Sequence, residues 1–208
     1  MMMTMPNIAR LLTGVLVCLF WMPPSLAADK AADKPLGAPE LESRIRELPR
    51  QSLSEDESRQ LRHLYAFQKL LRDVYAKFYT HWHLHDFKAF QSLKQQHLQA
   101  VAVLFDKYGL EPPGDPERFG TFQISSLQKL YANFTKTGRL SLFEALRTAA
   151  TMEDFNIYTA YDLLMDSDNQ DIKLACRTMT LTSRSNLQEI QDLLNSYGEK
   201  MGGNIWMW

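Results

Sequence analysis

Four segments of the chain carry apolar residues at alternating steps of three and four positions, which is the pattern of an amphipathic helix. The stripes run, in chain order, over Leu61 to Trp82, Phe87 to Tyr108, Phe143 to Leu164 and Ile172 to Tyr197. Repeats of this kind are typical of helices that pack at shallow angles around a common core. The pattern therefore predicts an all-α protein whose domain, residues 52–198, is a four-helix bundle.

The connections between the predicted helices differ in length. A short turn near His83 separates the first two helices, which favours antiparallel neighbours. The second helix is expected to stop at Gly109, and residues Leu110 to Arg139 then connect it to the third. This connection is long enough to cross the bundle, and Ser126 to Tyr131 within it is predicted to form a short helix. A bundle with one long crossover between helices two and three is a ferritin-like arrangement.

The amino-terminal residues 1–27 have the features of a secretory signal peptide. An apolar run, Leu11 to Trp21, is followed by two prolines and then by small residues. We expect cleavage after Ala27 or Ala28, and therefore a periplasmic or secreted protein. The apolar run is too short to span a bilayer, so no transmembrane segment is expected in the mature chain.

Two flanking segments lie outside the predicted bundle. Residues 28–51 are rich in Ala, Lys and Pro and poor in apolar residues, so we expect a disordered leader. Residues 199–208 form an apolar tail that contains Trp206 and Trp208. Because exposed apolar patches usually mark contact surfaces, we expect the tail to dock on the bundle or, through its tryptophans, on an unknown protein partner. A homodimer is a further alternative.

Charge, cysteine content and the absence of common catalytic motifs argue against several classes of function. The formal net charge is −1 over 208 residues, and this near-neutral balance lacks the basic footprint of a nucleic-acid-binding protein. Signal cleavage would remove Cys18 and leave Cys176 as the single cysteine, so no internal disulfide is expected. The sequence has neither a Gly-rich phosphate loop nor a nucleophile elbow, which favours a protein that is not an enzyme.

Polar residues interrupt each of the four stripes near its middle. Buried polar groups are strongly destabilising unless they are paired or bind a metal, so interruptions at similar depth on four helices indicate a polar centre. Two interpretations stay open: a hydrogen-bonded layer that fixes helix register, or a ligand site. The residues of this predicted polar layer are Gln68, Lys94, His97, Glu153, Ser183 and Asn186.

A series of motifs follows the order of the predicted helices: Lys69 to Tyr75, His97 to Val101, Phe105 to Leu110, Ala150 to Asp154, Asp168 to Ile172, and Ser183-Arg184. Together, over about residues 53–196, they resemble the bacterial domain of unknown function 2202 family, which is ferritin-like, and more distantly rubrerythrin. The resemblance implies a ferritin-like bundle with a metal site at its centre.

The ligand pattern of the family implies a glutamate on the first helix and a glutamate three positions before a histidine on the second. It further implies a glutamate on the third helix and a histidine on the fourth. In this chain Gln68 and Lys94 replace the first two glutamates, and Asn186 replaces the histidine of the fourth helix. His97 and Glu153 are retained. The resemblance thus implies a metal site that has lost most of its ligands.

Charge separates the two interpretations of this site. One imidazole, one carboxylate and a lysine cannot offset the charge of two irons, and an ammonium at position 94 repels a metal at low dielectric. We therefore expect Lys94 to pair with Glu153 in a pseudo-ferritin scaffold or interaction protein, with no catalytic role and no cofactor. The alternative is a metal-binding or redox protein that keeps one transition-metal ion on His97 and Glu153.

A second candidate metal site lies in the turn between the first two helices. His81, His83 and His85 alternate with apolar residues, and three imidazoles on one side of an extended turn would suit copper, nickel or zinc. The competing interpretation is a solvated turn in which the histidines share no ligand.

Overall fold

The computed structural model describes residues 34–200, and their side chains up to residue 198. This part of the chain consists of helices and contains no strand; the helices are α1 (Ala38–Glu47), α2 (Glu55–Trp82), α3 (His85–Tyr108), α4 (Ser125–Thr137), α5 (Leu142–Asp166) and α6 (Gln170–Lys200). Within the described range, no helix combines the length and apolar character needed to cross a membrane. The predicted all-α class is confirmed.

Some predictions fall on residues that the structure does not describe. The signal peptide 1–27 and the first part of the expected leader, residues 28–33, lie outside the described range. The same holds for the end of the apolar tail, including Trp206 and Trp208. Docking of this tail on the bundle or on a partner therefore stays a prediction.

The four long helices coincide with the four predicted stripes: α2 and α3 contain the first two, and α5 and α6 contain the others. The turn at His83 and the stop at Gly109 are confirmed, because both residues adopt left-handed conformations with φ of 54° and 68°. Gly109 does so without a steric penalty because it has no Cβ. The helix expected at Ser126 to Tyr131 is longer than predicted, since α4 extends from Ser125 to Thr137.

The expectation of a disordered leader is wrong for residues 38–47, which form α1. Leu41 and Ile45, one turn apart, are buried in the core, and Lys107 of α3 donates to the carbonyl oxygens of Ile45 and Leu48 at 2.7 Å each. One pair of apolar residues does not establish a helical period, so no pattern in the sequence indicated this helix. Because isolated helices of this length are marginal in water, α1 depends on its packing against α3 and α6.

The start of α2 is tied to the connection between α5 and α6. Ser54 and Glu57 form a capping box, in which each side chain accepts from the other residue's backbone N–H. The Glu57 carboxylate also accepts from the Ser167 hydroxyl at 2.6 Å and from the Asn169 amide at 2.9 Å. These contacts fix one end of the bundle.

Helix α2 packs antiparallel to α5. Tyr75 donates to Glu153, whereas Gln68, earlier on α2, donates to Asn156, later on α5. Residue numbers therefore rise along α2 as they fall along the facing side of α5. Since α2 is also antiparallel to α3, with which it forms a hairpin, α3 and α5 run in the same direction.

Helix α3 packs antiparallel to α6. Lys94 contacts Ser183 near the middle of both helices, and Tyr108 at the end of α3 donates to Asp171 at the start of α6, at 2.9 and 3.0 Å. The two hairpins, α2–α3 and α5–α6, thus meet with α2 antiparallel to α5 and α3 antiparallel to α6, while the diagonal pair α3 and α5 runs parallel.

Residues 109–141, which include α4, cross the length of the bundle. The chain leaves α3 at the end where Tyr108 contacts Asp171, but it enters α5 at the opposite end. There the indole Nε1 of Trp82 donates to the Gly138 carbonyl oxygen at 2.8 Å, which holds the end of the crossover to the end of α2.

A polar layer divides the apolar core in two. On α3, Phe87 and Phe90 belong to one cluster of buried residues and Leu98 begins the other, with Lys94 and His97 buried between them. The same order holds along α5, and α6, which runs in the opposite direction, meets the two clusters in the reverse order. The polar interruptions of the sequence therefore lie at one depth in the bundle.

Candidate polar site in the bundle core

A buried ion pair lies at the centre of the polar layer. Lys94 Nζ of α3 is 2.6 Å from Glu153 Oε2 of α5, and both side chains are 0% exposed. Either charge alone would be strongly destabilising at this depth, because it would be buried without its partner. The pairing agrees with the expectation drawn from charge.

Glu153 accepts hydrogen bonds on both of its oxygens. Oε1 accepts from the Tyr75 hydroxyl at 2.7 Å and from Asn186 Nδ2 at 3.1 Å. Oε2 accepts from Lys94 Nζ at 2.6 Å and from the Ser183 hydroxyl at 2.5 Å. A carboxylate has about four acceptor positions, so donors from α2, α3 and α6 fill them all.

The network extends from Ser183 towards α2. The Ser183 hydroxyl accepts from Lys94 Nζ at 3.1 Å and from Asn156 Nδ2 at 2.7 Å, and Asn156 Oδ1 accepts from Gln68 Nε2 at 2.5 Å. Asn156 and Tyr75 are members of this layer that the sequence did not single out. Asn156 could have been found from its place three residues after Glu153 on the same helix face; Tyr75 could not, since it reads as an apolar stripe residue.

Burial and charge shift the ionisation of these groups. Burial, together with the adjacent Glu153 carboxylate, raises the pKa of the Tyr75 hydroxyl well above its usual value, so it remains a donor. Burial also lowers the pKa of the Lys94 ammonium, and Glu153 opposes that change. The layer is therefore held together by one compensated pair of charges and neutral donors.

His97 lies one helical turn after Lys94 and is 4% exposed. Burial, and then the positive charge of Lys94, lowers the pKa of this imidazole well below its usual value, so it is neutral. Its Nδ1 has no hydrogen-bond partner among residues 34–200, and neither does Oε1 of Gln68. These are the two unsatisfied polar atoms of the layer within the described chain.

The di-metal centre implied by the resemblance does not fit these side chains. An ammonium occupies the position of the second-helix glutamate, and the remaining carboxylate, Glu153, is fully hydrogen-bonded. One carboxylate cannot balance two divalent or trivalent ions at low dielectric. In the described part of the chain, no three His, Cys, Asp or Glu side chains are grouped so that they could hold a metal ion.

The family model described as an uncharacterized protein domain (DUF2202) matches residues 57–203. This chain belongs to the DUF2202 family. The family resemblance read from the motifs is therefore confirmed. The DUF2202 match covers the polar layer, nearly all of α2 and the whole of α3 to α6, and it begins after α1.

The DUF2202 chain is also similar to the uncharacterized protein MJ0754 of Methanocaldococcus jannaschii, with 33% identity over 154 residues, which are 74% of this chain and 83% of the relative. The crystal structure of the hypothetical protein MJ0754 from Methanococcus jannaschii DSM 2661 matches with a TM-score of 0.71 at 33% identity, over 73% of this chain and 86% of that chain. The two chains thus share a similar fold at 33% identity.

The DUF2202 motif on α2 contains a second buried charged cluster that the sequence analysis missed. Asp73 accepts from Lys69 Nζ at 2.9 Å and from Arg72 Nε at 2.9 Å. Asp73 also accepts from the Gly120 backbone N–H at 2.9 Å, and Lys69 donates to the Arg118 carbonyl oxygen at 2.7 Å. These contacts fasten the crossover to α2. The signal in the sequence is three charged residues within an otherwise apolar segment.

The turn histidines of this DUF2202 chain do not meet the geometric condition for the predicted metal site. His81 lies in α2, His83 ends it in a left-handed conformation and His85 begins α3, so the turn is not extended. All three side chains are exposed. The rings of His83 and His85 each lie 6.3 Å from that of Tyr79, while His81 packs edge-on against Trp82. The competing interpretation, a solvated turn, describes this geometry better.

Proposed function

We propose that this DUF2202 protein is a pseudo-ferritin, in which the Lys94–Glu153 ion pair replaces a metal centre, and that it acts as a non-catalytic scaffold or interaction protein. The observation that carries the proposal is the 2.6 Å ion pair between two side chains that are 0% exposed. The ammonium supplies the positive charge that a metal ion would supply to the glutamate. A pair of this kind fixes the register of the helices without a cofactor.

The directions of the helices support the ferritin-like part of the proposal. The α2–α3 hairpin packs on the α5–α6 hairpin so that α2 is antiparallel to α5 and α3 is antiparallel to α6. Residues 109–141 cross the bundle between the two hairpins. A bundle of two hairpins joined by one long crossover is the arrangement of ferritin-like proteins. The polar layer then lies where such bundles place their inward-facing ligands.

The state of the central groups supports a non-catalytic role. Glu153 and Lys94 are engaged with each other and with neighbouring donors and acceptors. The pKa of Tyr75 is far above its usual value, and burial raises the pKa of the Cys176 thiol to about 12. Tyr75 and Cys176 therefore stay protonated near neutral pH, and donors occupy the acceptor positions of Glu153, so none of these three groups is free to act as a general base or a nucleophile.

We further propose that the protein is exported to the periplasm or secreted, on the basis of the apolar run and small residues in 1–27. Intact-mass measurement of protein from fractionated cells tests this. A periplasmic or extracellular species that begins after Ala27 or Ala28 is the expected result. A full-length species confined to the cytoplasm would refute export and leave the proposal for the core untouched.

The decisive experiment for the core is the metal content of untagged protein prepared without chelators. We expect far less than one metal ion per chain, and a melting temperature that iron, manganese and zinc leave unchanged, because a ligand that binds only the folded state raises it by mass action. Near-stoichiometric iron or manganese would refute the pseudo-ferritin proposal.

One observation favours a second candidate, a single-metal site. Nδ1 of His97 has no hydrogen-bond partner within the described residues, so its lone pair or proton is not engaged by the protein. If this nitrogen binds a metal, added metal raises the melting temperature of the parent but not of His97→Gln. The variant His83→Gln separates this case from binding at the turn, because it leaves the core intact.

A further inference from the structure

The end of the bundle at which α2 and α6 finish carries an exposed apolar side chain. Leu140, in the connection between α4 and α5, is 73% exposed, more than any other large apolar residue that the structure describes. A single exposed leucine is ordinary on a protein surface. What matters is whether its surroundings are apolar as well, because a contiguous apolar patch usually marks a contact surface.

The surroundings of Leu140 are apolar and partly exposed. The indole of Trp82 donates to the carbonyl oxygen of Gly138, two positions before Leu140, at 2.8 Å. Phe143, three positions after Leu140, stacks on Tyr197 of α6 with the ring centroids 6.3 Å apart. Trp82, Phe143 and Tyr197 are each partly exposed. These three rings and Leu140 form one surface, which we call the bundle-end patch.

The chain continues from this same end of the bundle. Helix α6 ends at Lys200, one turn after Tyr197 and so about 4.5 Å further along the helix axis. The segment that follows, residues 201–208, lies outside the described residues. Apart from two glycines and one asparagine it is made of large apolar residues, in the order Met201-Gly202-Gly203-Asn204-Ile205-Trp206-Met207-Trp208.

The length of this segment is sufficient to reach the bundle-end patch. An extended chain advances about 3.4 Å per residue, so residues 201–208 reach at most about 27 Å from Lys200. Leu140 lies within about 10 Å of Phe143 along the backbone, and Phe143 contacts Tyr197 near the end of α6. The exposed Met165 is out of reach, because it lies roughly 33 Å beyond Phe143 along α5.

We propose that residues 201–208 fold back over the bundle-end patch of their own chain, with their two tryptophans against Leu140 and Trp82. The Gly-Gly pair permits the reversal, since glycine adopts positive φ without a steric penalty. A tethered segment meets its patch at an effective concentration of about millimolar. Docking within one chain is therefore favoured over docking on a second copy at micromolar protein concentration. This contact is independent of the metal content of the core.

Paramagnetic relaxation shows where the segment lies. A nitroxide is attached to the mature chain through Asn204→Cys. The buried Cys176 does not take the label, because burial raises the pKa of its thiol to about 12. We expect the label to broaden the NMR signals of the Trp82 indole and the Leu140 methyl groups and to spare the methyl group of Met165.

Two controls separate docking from tethering and from self-association. The labelled variant that also carries Trp206→Ser and Trp208→Ser gives the broadening that tethering alone produces, and a parent that is broadened no more than this variant would overturn the proposal. A mixture of spin-labelled chains with isotope-labelled chains that carry no nitroxide reports contacts between copies. We expect no broadening there; broadening in the mixture would reject docking within one chain and assign the patch to a second copy.

A matched pair of variants locates the docking surface. Leu140→Asp should lower the ratio of docked to free segment by at least about tenfold, because the burial of a leucine side chain is lost. Met165→Asp, at a position that is 63% exposed and out of reach, should leave the broadening unchanged. Both changes fall on exposed residues, so the bundle stays folded. Broadening of the Trp82 indole that persists in Leu140→Asp would reject the assignment.

Discussion

Lys94 of α3 lies 2.6 Å from Glu153 of α5, and this ion pair is enclosed between two apolar halves of the same core. The charges of Lys94 and Glu153 balance each other, and the groups that contact them in the layer are uncharged. These neighbours are hydroxyls and amides that donate to or accept from the pair. The polar layer is therefore organised around the glutamate, with the lysine as its counter-ion.

Removal of one partner should destabilise the protein far more than removal of both charges. We expect Lys94→Ala and Glu153→Ala each to lower the free energy of unfolding by about 3–5 kcal/mol, because each leaves a buried charge unpaired. The double variant Lys94→Met with Glu153→Gln, which keeps an amide for Tyr75 and Asn186, should lose less than either single variant. Urea denaturation measures these values.

An exposed ion pair provides the control. Arg147 and Glu144 are 3.2 Å apart with side chains 60% and 30% exposed, and Arg147→Ala should change the free energy of unfolding by no more than about 1 kcal/mol. Single variants of the buried pair that match this control would show that the pair does not organise the core.

Restoring the missing ligands should restore metal binding if the bundle is ferritin-like. The combined variant Gln68→Glu, Lys94→Glu and Asn186→His places carboxylates and imidazoles around Glu153 and His97. We expect it to be less stable than the parent when metal-free, since like charges are then crowded. It should bind manganese or zinc with a raised melting temperature. The same variant with Glu153→Gln is the control and should bind more weakly.

The pH dependence of stability should carry the signature of His97. Burial and Lys94 hold the pKa of this imidazole well below the usual 6.5, so below that pH the unfolded chain binds a proton that the folded chain does not. The parent should therefore lose roughly 1–2 kcal/mol from this residue between about pH 6.5 and 5, and regain it above.

A comparison of denaturation curves isolates this effect from other groups. His97→Gln should lose less stability than the parent over this pH interval, whereas the exposed His81→Gln should follow the parent. If His97→Gln and the parent keep the same difference in unfolding free energy at every pH, the buried imidazole is not neutral in the folded state.

The crossover should detach when Asp73 loses its charge. Asp73→Asn leaves Lys69 and Arg72 buried without their carboxylate, so we expect a loss of about 3–5 kcal/mol. Hydrogen exchange within residues 109–124 should accelerate before that of α2, because the crossover is held through the Gly120 N–H. The matched control is Asp56→Asn, whose ion pair with Arg59 is 72% exposed on both sides.

The sequence by itself determined the four long helices and the depth of the polar layer. Apolar periodicity is a local property of each helix, so the spans of α2, α3, α5 and α6 could be read without their neighbours. The interruptions at Lys94 and Glu153 were visible for the same reason, and the sign of their charges predicted that they would pair. Ordered motifs were enough to assign the family.

Only the tertiary structure decided which groups meet in the core and what covers it. Tyr75 joins the polar layer because its hydroxyl reaches α5, and that depends on how two helices are rotated against each other. Lys69 and Asp73 are buried only because the crossover lies over them. Helix α1 exists through packing that no local pattern encodes, since a single apolar pair becomes helical when the facing helices bury it.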